Sequence, residues 1–187
     1  NNLGQYIPVG APDIVTYPGS DYYEIELREY TEQMHSDLLP TTLRGYLQVN
    51  QGTDTVANGG CTDPALNLAN PCTVLNNSLP VDAKPRQFGP LIIAQKDRPV
   101  RIKFINKLPT GSGGELFVPV DQTIMGSGPF QIDYDPVTKQ PIPLTTGTFT
   151  QNRAEIHLHG GRSPWISDGT PHQWITPDGE EIGRAHV

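Results

Sequence analysis

The 187 residues include 13 basic and 20 acidic side chains, which give a formal net charge of −7. Because no cluster of five or more basic residues accompanies this charge, nucleic acids and anionic membrane surfaces are poor partners for the chain. The 19 glycines and 19 prolines favour turns and short strands over long helices. No apolar run approaches the roughly 20 residues of a membrane-spanning helix, so no membrane span is predicted.

The start of the chain predicts an irregular arm that leads into a strand. Residues 1–21 contain prolines and glycines without sustained periodicity, which is typical of an extended arm. From Tyr22 to Tyr30 apolar and polar residues alternate, and this pattern predicts a half-buried strand. The face that begins with Tyr23 is expected to be buried, whereas the face with Tyr22 and Glu26 is expected to meet solvent.

Residues 50–88 are rich in asparagine, aspartate, glycine and proline, and they predict a long surface insertion. The insertion holds both cysteines of the chain, Cys61 and Cys72, in a polar stretch with no neighbouring histidine. We favour a local disulfide between them in a secreted, periplasmic or cell-surface protein, because disulfides persist in oxidising compartments. Two free thiols in a cytosolic loop are the alternative.

Further strands are predicted on both sides of this insertion, at Leu43–Val49, Leu91–Ala94 and Arg98–Ile105. Residues 109–150 are dominated by loops with many glycines and prolines, and no segment shows a convincing helical stripe. Short strands separated by such turns predict an all-β domain, either a sandwich or a barrel.

Two histidines at alternate positions, His157 and His159, offer the clearest chemistry in the chain. On a strand they would share one face about 6.6 Å apart along the backbone, while Ile156 and Leu158 would point into a core. Neutral imidazoles presented side by side are typical ligands of copper or zinc. Two ligands hold a transition metal weakly, so other residues must complete the site. The alternative is two polar side chains on the solvent face of an edge strand.

The sequence around these histidines resembles the first copper-binding segment of the multicopper oxidases, in the branch of bacterial spore-coat laccases and bilirubin oxidases. The resemblance covers about residues 22–180, apart from the insertion. Near the histidines it is carried by His157-Leu158-His159-Gly160-Gly161, Ser167-Asp168-Gly169, Pro171 and Trp174. Further upstream it is carried by Tyr22–Ile25, Gln33–Leu38, Thr42–Tyr46, Gly89–Ile92 and Asn106–Pro109.

The resemblance implies a cupredoxin-like Greek-key β-barrel or sandwich over residues 22–181, the first domain of a larger enzyme that usually has three. The first histidine of the motif binds the type 2 copper in this family, and the second binds one of the type 3 pair. These roles fall on His157 and His159. Asp168 matches an acidic residue associated with proton delivery, although an aspartate before Gly169 also favours a tight turn.

By the same resemblance, the full-length enzyme holds four copper ions and couples one-electron oxidation of a small reducing substrate to the reduction of O2 to water. Phenols, bilirubin-like pigments and metal ions are the expected substrates. The remaining cupredoxin domains of the same chain are the expected partners, because the other ligand segments and the type 1 copper site have no counterpart in these 187 residues. The 187 residues alone are therefore expected to be inactive.

Residues 182–187 match the translation of a common sequencing adapter, which predicts a domain truncated at its C-terminal end, near residue 181. Two functions of other classes stay open at this point. One is a non-catalytic secreted copper-binding cupredoxin module. The other is a zinc hydrolase, although no third ligand has a suitable spacing.

Overall fold

A computed structural model describes most of the chain, in seven segments. They are residues 10–50, 52, 85–124, 127–128, 133–142, 148–169 and 174–177. Two compact units contain these segments, the sheet unit Asn1–Lys107 and the loop unit Leu108–Val187. Cys61, Cys72 and residues 182–187 lie outside the described residues, as does nearly all of the predicted insertion.

Three strands form the core of the sheet unit. They are β1 (Asp21–Glu32), β2 (Thr41–Gln48) and β3 (Val100–Asn106). The central strand β1 pairs antiparallel with β2 and parallel with β3, so the sheet is mixed. The strands predicted at Tyr22–Tyr30, Leu43–Val49 and Arg98–Ile105 are thus present. The strand predicted at Leu91–Ala94 is wrong: only Leu91 takes part in pairing, through a carbonyl that accepts the Gly10 N–H at 2.8 Å.

Burial along β1 follows the predicted alternation on one face only. Tyr23 is fully buried and Ile25 and Leu27 are nearly so, as expected. Tyr22 and Glu26 are also buried, which corrects the prediction of a solvated face. Strand β1 has a neighbour on each side, and the ring of Tyr17 packs edge-on against Tyr22 with 4.9 Å between centroids. Side chains on both faces of the central strand are therefore buried, including two that alternation alone assigns to solvent.

Two side-chain amides extend the pairing beyond the end of β2. Gln48 accepts the Ala11 N–H at 3.0 Å and donates to the Ala11 carbonyl at 2.7 Å, so it bonds to Ala11 as a neighbouring strand would. Asn50 accepts the Glu24 N–H at 2.7 Å and donates to the Tyr22 carbonyl at 3.3 Å. The Gln48 bonds tie the described part of the N-terminal arm to the sheet and provide partners for the buried backbone groups of Ala11, whereas the Asn50 bonds tie the end of β2 to β1.

The loop unit is held mainly by short pairings and ring contacts. Strand β4 (Asp133–Tyr134) pairs antiparallel with β5 (Pro141–Ile142). Near the histidines, Ala154 and Ile175 exchange two backbone hydrogen bonds of 3.1 and 2.9 Å. The guanidinium of Arg153 stands beside this pair, 4.5 Å from the ring centre of Phe149 and 4.6 Å from that of Trp174.

Regular structure in the described segments is almost entirely strand. Their helical content is limited to two short 3₁₀ helices, Gly111–Gly114 and Trp165–Ser167. The all-β class is therefore confirmed, and the open mixed sheet is consistent with a cupredoxin-like domain. Among the same segments no helix has the length and apolar character needed to cross a membrane.

Candidate metal centre

The two histidines lie on an irregular segment, which corrects the predicted strand. Pairing ends at Ala154, and the residues from Glu155 to Leu158 have no strand partner among the described segments. Ile156 is 37% exposed and Leu158 is 60% exposed, so neither side chain points into a core as predicted. Alternation of apolar and polar residues fits a strand here, but without a neighbouring backbone the segment forms no ladder.

The imidazole rings of His157 and His159 nevertheless lie side by side. Their centroids are 4.9 Å apart, with 72° between the ring planes, and both residues are exposed. Directly after His159 the chain turns at Gly160, whose φ of +65° is readily adopted by glycine alone. The turn is closed by the Gly161 N–H, which donates to the Leu158 carbonyl at 3.2 Å.

The ring of His157 is anchored by Asp168, eleven residues later. Its Nδ1 is in hydrogen-bond contact with the backbone carbonyl oxygen of Asp168 and lies 3.4 Å from the carboxylate oxygen Oδ1. A carbonyl oxygen can only accept, so Nδ1 must carry the proton in this bond. In the neutral ring Nε2 then holds the free lone pair, which is the state that a metal-binding histidine needs.

Asp168 is itself held at two points. Its backbone N–H donates to the Trp165 carbonyl at 3.3 Å and ends the short 3₁₀ helix, while its Oδ1 accepts the Ser163 hydroxyl at 2.6 Å. Gly169 follows with a φ of +70°, and a Cβ atom there would clash with the backbone of Ile156. The loop from Ser163 to Gly169 thus folds directly against the backbone that carries His157.

The histidine pair provides two of the ligands that a metal site needs. Two adjacent imidazoles, one with its Nδ1 engaged, are chemically suited to copper or zinc. No group of three or more histidine, cysteine, aspartate or glutamate side chains in the described segments is arranged to hold a metal ion. A metal at this pair would therefore need ligands from residues that the described segments do not contain.

Three other histidine and tryptophan side chains lie in the described segments, and none of them is part of a metal-binding group there. His35, in the sheet unit, accepts the Asp37 N–H at 3.1 Å on an exposed turn. Trp165 is 68% exposed, and Trp174 packs edge-on against Phe149 with 5.5 Å between centroids. His172 lies outside the described residues. Ser163 was missed, because no sequence signal links a hydroxyl to an aspartate five residues later.

Comparison with known proteins identifies relatives of this chain, although no family model matches it. A laccase from Bacillus stratosphericus is 30% identical over 177 residues, which is 95% of this chain and 23% of the relative. This chain is related to the multicopper oxidases. A laccase from Bacillus subtilis (strain 168) is 29% identical over 162 residues, 87% of this chain and 20% of that protein.

A third laccase, from the archaeon Haloferax volcanii, is 26% identical over 166 residues, 89% of this chain and 20% of the relative. The family resemblance carried by the histidine motif is thereby confirmed over most of the chain. The chain spans about a fifth of the length of the curated relatives it matches.

Proposed function

We propose that the chain supplies the first histidine pair of the oxygen-reducing copper cluster in a multicopper oxidase, with His157 on the type 2 copper and His159 on one type 3 copper. The observation that carries the proposal is the pair of adjacent rings, 4.9 Å apart, with His157 anchored through Nδ1. The relation to three laccases supports copper as the metal. Bound copper would supply the electron-transfer chemistry of substrate oxidation and dioxygen reduction.

The protein's own residues would prepare the site for this chemistry. The carbonyl of Asp168 holds the Nδ1 proton of His157, so that Nε2 is the atom directed to the metal. The side chain of Asp168 is 39% exposed, so it reaches solvent while lying 3.4 Å from the ring of His157, and this position supports a role in proton delivery. We therefore propose Asp168 as the residue that assists proton delivery near the cluster.

Four exposed apolar side chains in the two segments joined by the His157–Asp168 contact support the other cupredoxin domains of the same protein as partners. The exposed fractions are 37% for Ile156, 60% for Leu158, 68% for Trp165 and 66% for Ile166. Exposed apolar patches of this kind mark interaction surfaces. A domain that covers them would also be a source of the missing copper ligands. Phenols, pigments and metal ions are the proposed classes of reducing substrate.

We also propose that the protein works outside the cytoplasm. The predicted disulfide between Cys61 and Cys72 would persist only in an oxidising compartment. Alkylation with and without prior reduction, read by mass spectrometry, tests the pairing. Two thiols that are alkylated without reduction would contradict both the disulfide and this argument for export.

Copper binding by the 187-residue chain tests the histidine pair. We expect the wild-type chain to bind Cu(II) weakly through the pair, and His157→Ala and His159→Ala each to lose most of that binding, because a single imidazole holds copper more weakly still. His35→Ala is the matched control, since His35 is an exposed histidine of the sheet unit. Equal copper binding by the wild type and both variants of the pair would contradict the proposal.

Oxygen consumption by the complete protein tests the catalytic part of the proposal. We expect the His157→Ala variant of the complete protein to contain less copper and to consume no oxygen with a phenolic substrate. Copper binding by the wild-type protein without oxygen consumption would instead identify a non-catalytic copper-binding module.

A further inference from the structure

Ser163 binds the residue that anchors the ring of His157, so it can influence which acceptor that ring bonds to. Its hydroxyl donates to Oδ1 of Asp168 at 2.6 Å, a bond that bridges the 3₁₀ helix Trp165–Ser167. Together with the bond from the Asp168 N–H to the Trp165 carbonyl, it holds Asp168 through both its backbone and its side chain. Ser163 is half-buried, so water competes less for this bond than at a fully exposed site.

Asp168 offers His157 two different acceptors. The Nδ1 atom of His157 contacts the backbone carbonyl oxygen, while the carboxylate oxygen Oδ1 lies 3.4 Å away. A carboxylate normally wins such a competition, because hydrogen bonds to charged groups are roughly twice as strong as those between neutral groups. Here Oδ1 accepts a hydrogen bond from Ser163, and Nδ1 of His157 bonds to the neutral backbone carbonyl instead.

We propose that Ser163 is a positioning residue that keeps the carboxylate of Asp168 from replacing the backbone carbonyl as the acceptor for His157. The bond to Oδ1 fixes the orientation of the carboxylate, so that Nδ1 of His157 stays on the backbone carbonyl, a rigid main-chain atom, and the carboxylate stays available to solvent. The part of this proposal that concerns copper rests on the proposed function above. The part that concerns the histidine ring does not.

Nuclear magnetic resonance of the metal-free, isotope-labelled chain tests the ring directly. In the wild type we expect a through-hydrogen-bond coupling from Nδ1 of His157 to the backbone carbonyl carbon of Asp168. In Ser163→Ala we expect this coupling to disappear and a coupling to the side-chain carboxyl carbon to replace it. Ser163→Thr keeps the hydroxyl and should restore the wild-type pattern.

Ser167→Ala is the matched control within the same loop. Its hydroxyl donates to the Pro164 carbonyl at 3.2 Å on the exposed surface, and the bond to Asp168 comes from Ser163. The coupling to the backbone carbonyl should survive in this variant. The same coupling in Ser163→Ala as in the wild type would overturn the proposal, and unchanged amide signals of the sheet unit verify that the variant is folded.

Copper affinity gives a second readout. We expect Ser163→Ala to bind Cu(II) roughly tenfold more weakly than the wild type, the usual effect of losing a residue that orients a metal ligand. Ser163→Thr and Ser167→Ala should bind as the wild type does. If the wild type binds no copper while the coupling still depends on Ser163, the proposed function fails and the positioning role stands. If the wild type binds copper and the coupling ignores Ser163, only the positioning role fails.

Discussion

The sheet unit and the loop unit reach a defined structure by different means. In the sheet unit, backbone ladders on both sides of β1 and a buried face at Tyr23 hold the chain. In the loop unit, the histidine segment is held by single hydrogen bonds, from Nδ1 of His157 to the Asp168 carbonyl and from the Gly161 N–H to the Leu158 carbonyl. A substitution in the sheet unit should therefore change the free energy of unfolding, whereas one in the loop unit should change the geometry of the histidine pair.

Removal of the Tyr23 side chain should have the largest effect on the sheet unit. This ring is fully buried, and Tyr23→Ala should lower the free energy of unfolding by about 3–5 kcal/mol, the range for large buried aromatic residues. Urea unfolding followed by circular dichroism measures the change. Leu39→Ala is the control, because Leu39 is 87% exposed and its loss should change little.

Loss of the Gln48 amide should weaken the same unit by a smaller amount. Gln48→Ala leaves the N–H and the carbonyl of Ala11 without their side-chain partner in a buried position, at a cost of about 1–3 kcal/mol. Urea unfolding compares this variant with Gln95→Ala, where the side chain is exposed. Equal stability of the two variants would mean that water replaces the amide of Gln48.

Substitution of Gly169 should damage the site and leave the sheet intact. Gly169→Ala combines a positive φ with a clash against the Ile156 backbone, so the loop that anchors His157 must move. We expect Cu(II) affinity to fall about tenfold, the effect typical of a displaced supporting residue. In the control Gly111→Ala the φ is also positive, but a Cβ has open space, and copper affinity should not change.

The ionisation of Tyr22 should add a modest pH dependence to the sheet unit. Burial, and then the hydrogen bond to Glu24, raise the pKa of Tyr22 from 10.0 to about 12. Because the unfolded chain loses this proton more readily, the stabilisation is complete below pH 10 and declines as the pH rises towards 12. Unfolding of the wild type and of Tyr22→Phe between these pH values measures the difference, and parallel curves would contradict it.

Alternation of apolar and polar residues predicted a strand correctly where the pattern is long and incorrectly where it is short. The alternation from Tyr22 to Tyr30 correctly predicted β1 and its buried face. This strand is long enough to pair with β2 on one side and with β3 on the other. The same pattern around Ile156 and Leu158 predicted a strand that is absent. A strand forms only when a second backbone satisfies its hydrogen bonds. A pattern of four residues does not show whether such a neighbouring backbone is present.

Residue types and their spacing were sufficient to predict the all-β class, to recognise the family resemblance and to select His157 and His159 as candidate ligands. Tertiary structure alone decided that Tyr22 and Glu26 are buried, that Asp168 anchors His157, and that Ser163 engages the Asp168 carboxylate. Each of these depends on which atoms meet after the chain has folded. Hydrogen bonds act over about 3 Å, and spacing along the sequence carries no such information for a loop.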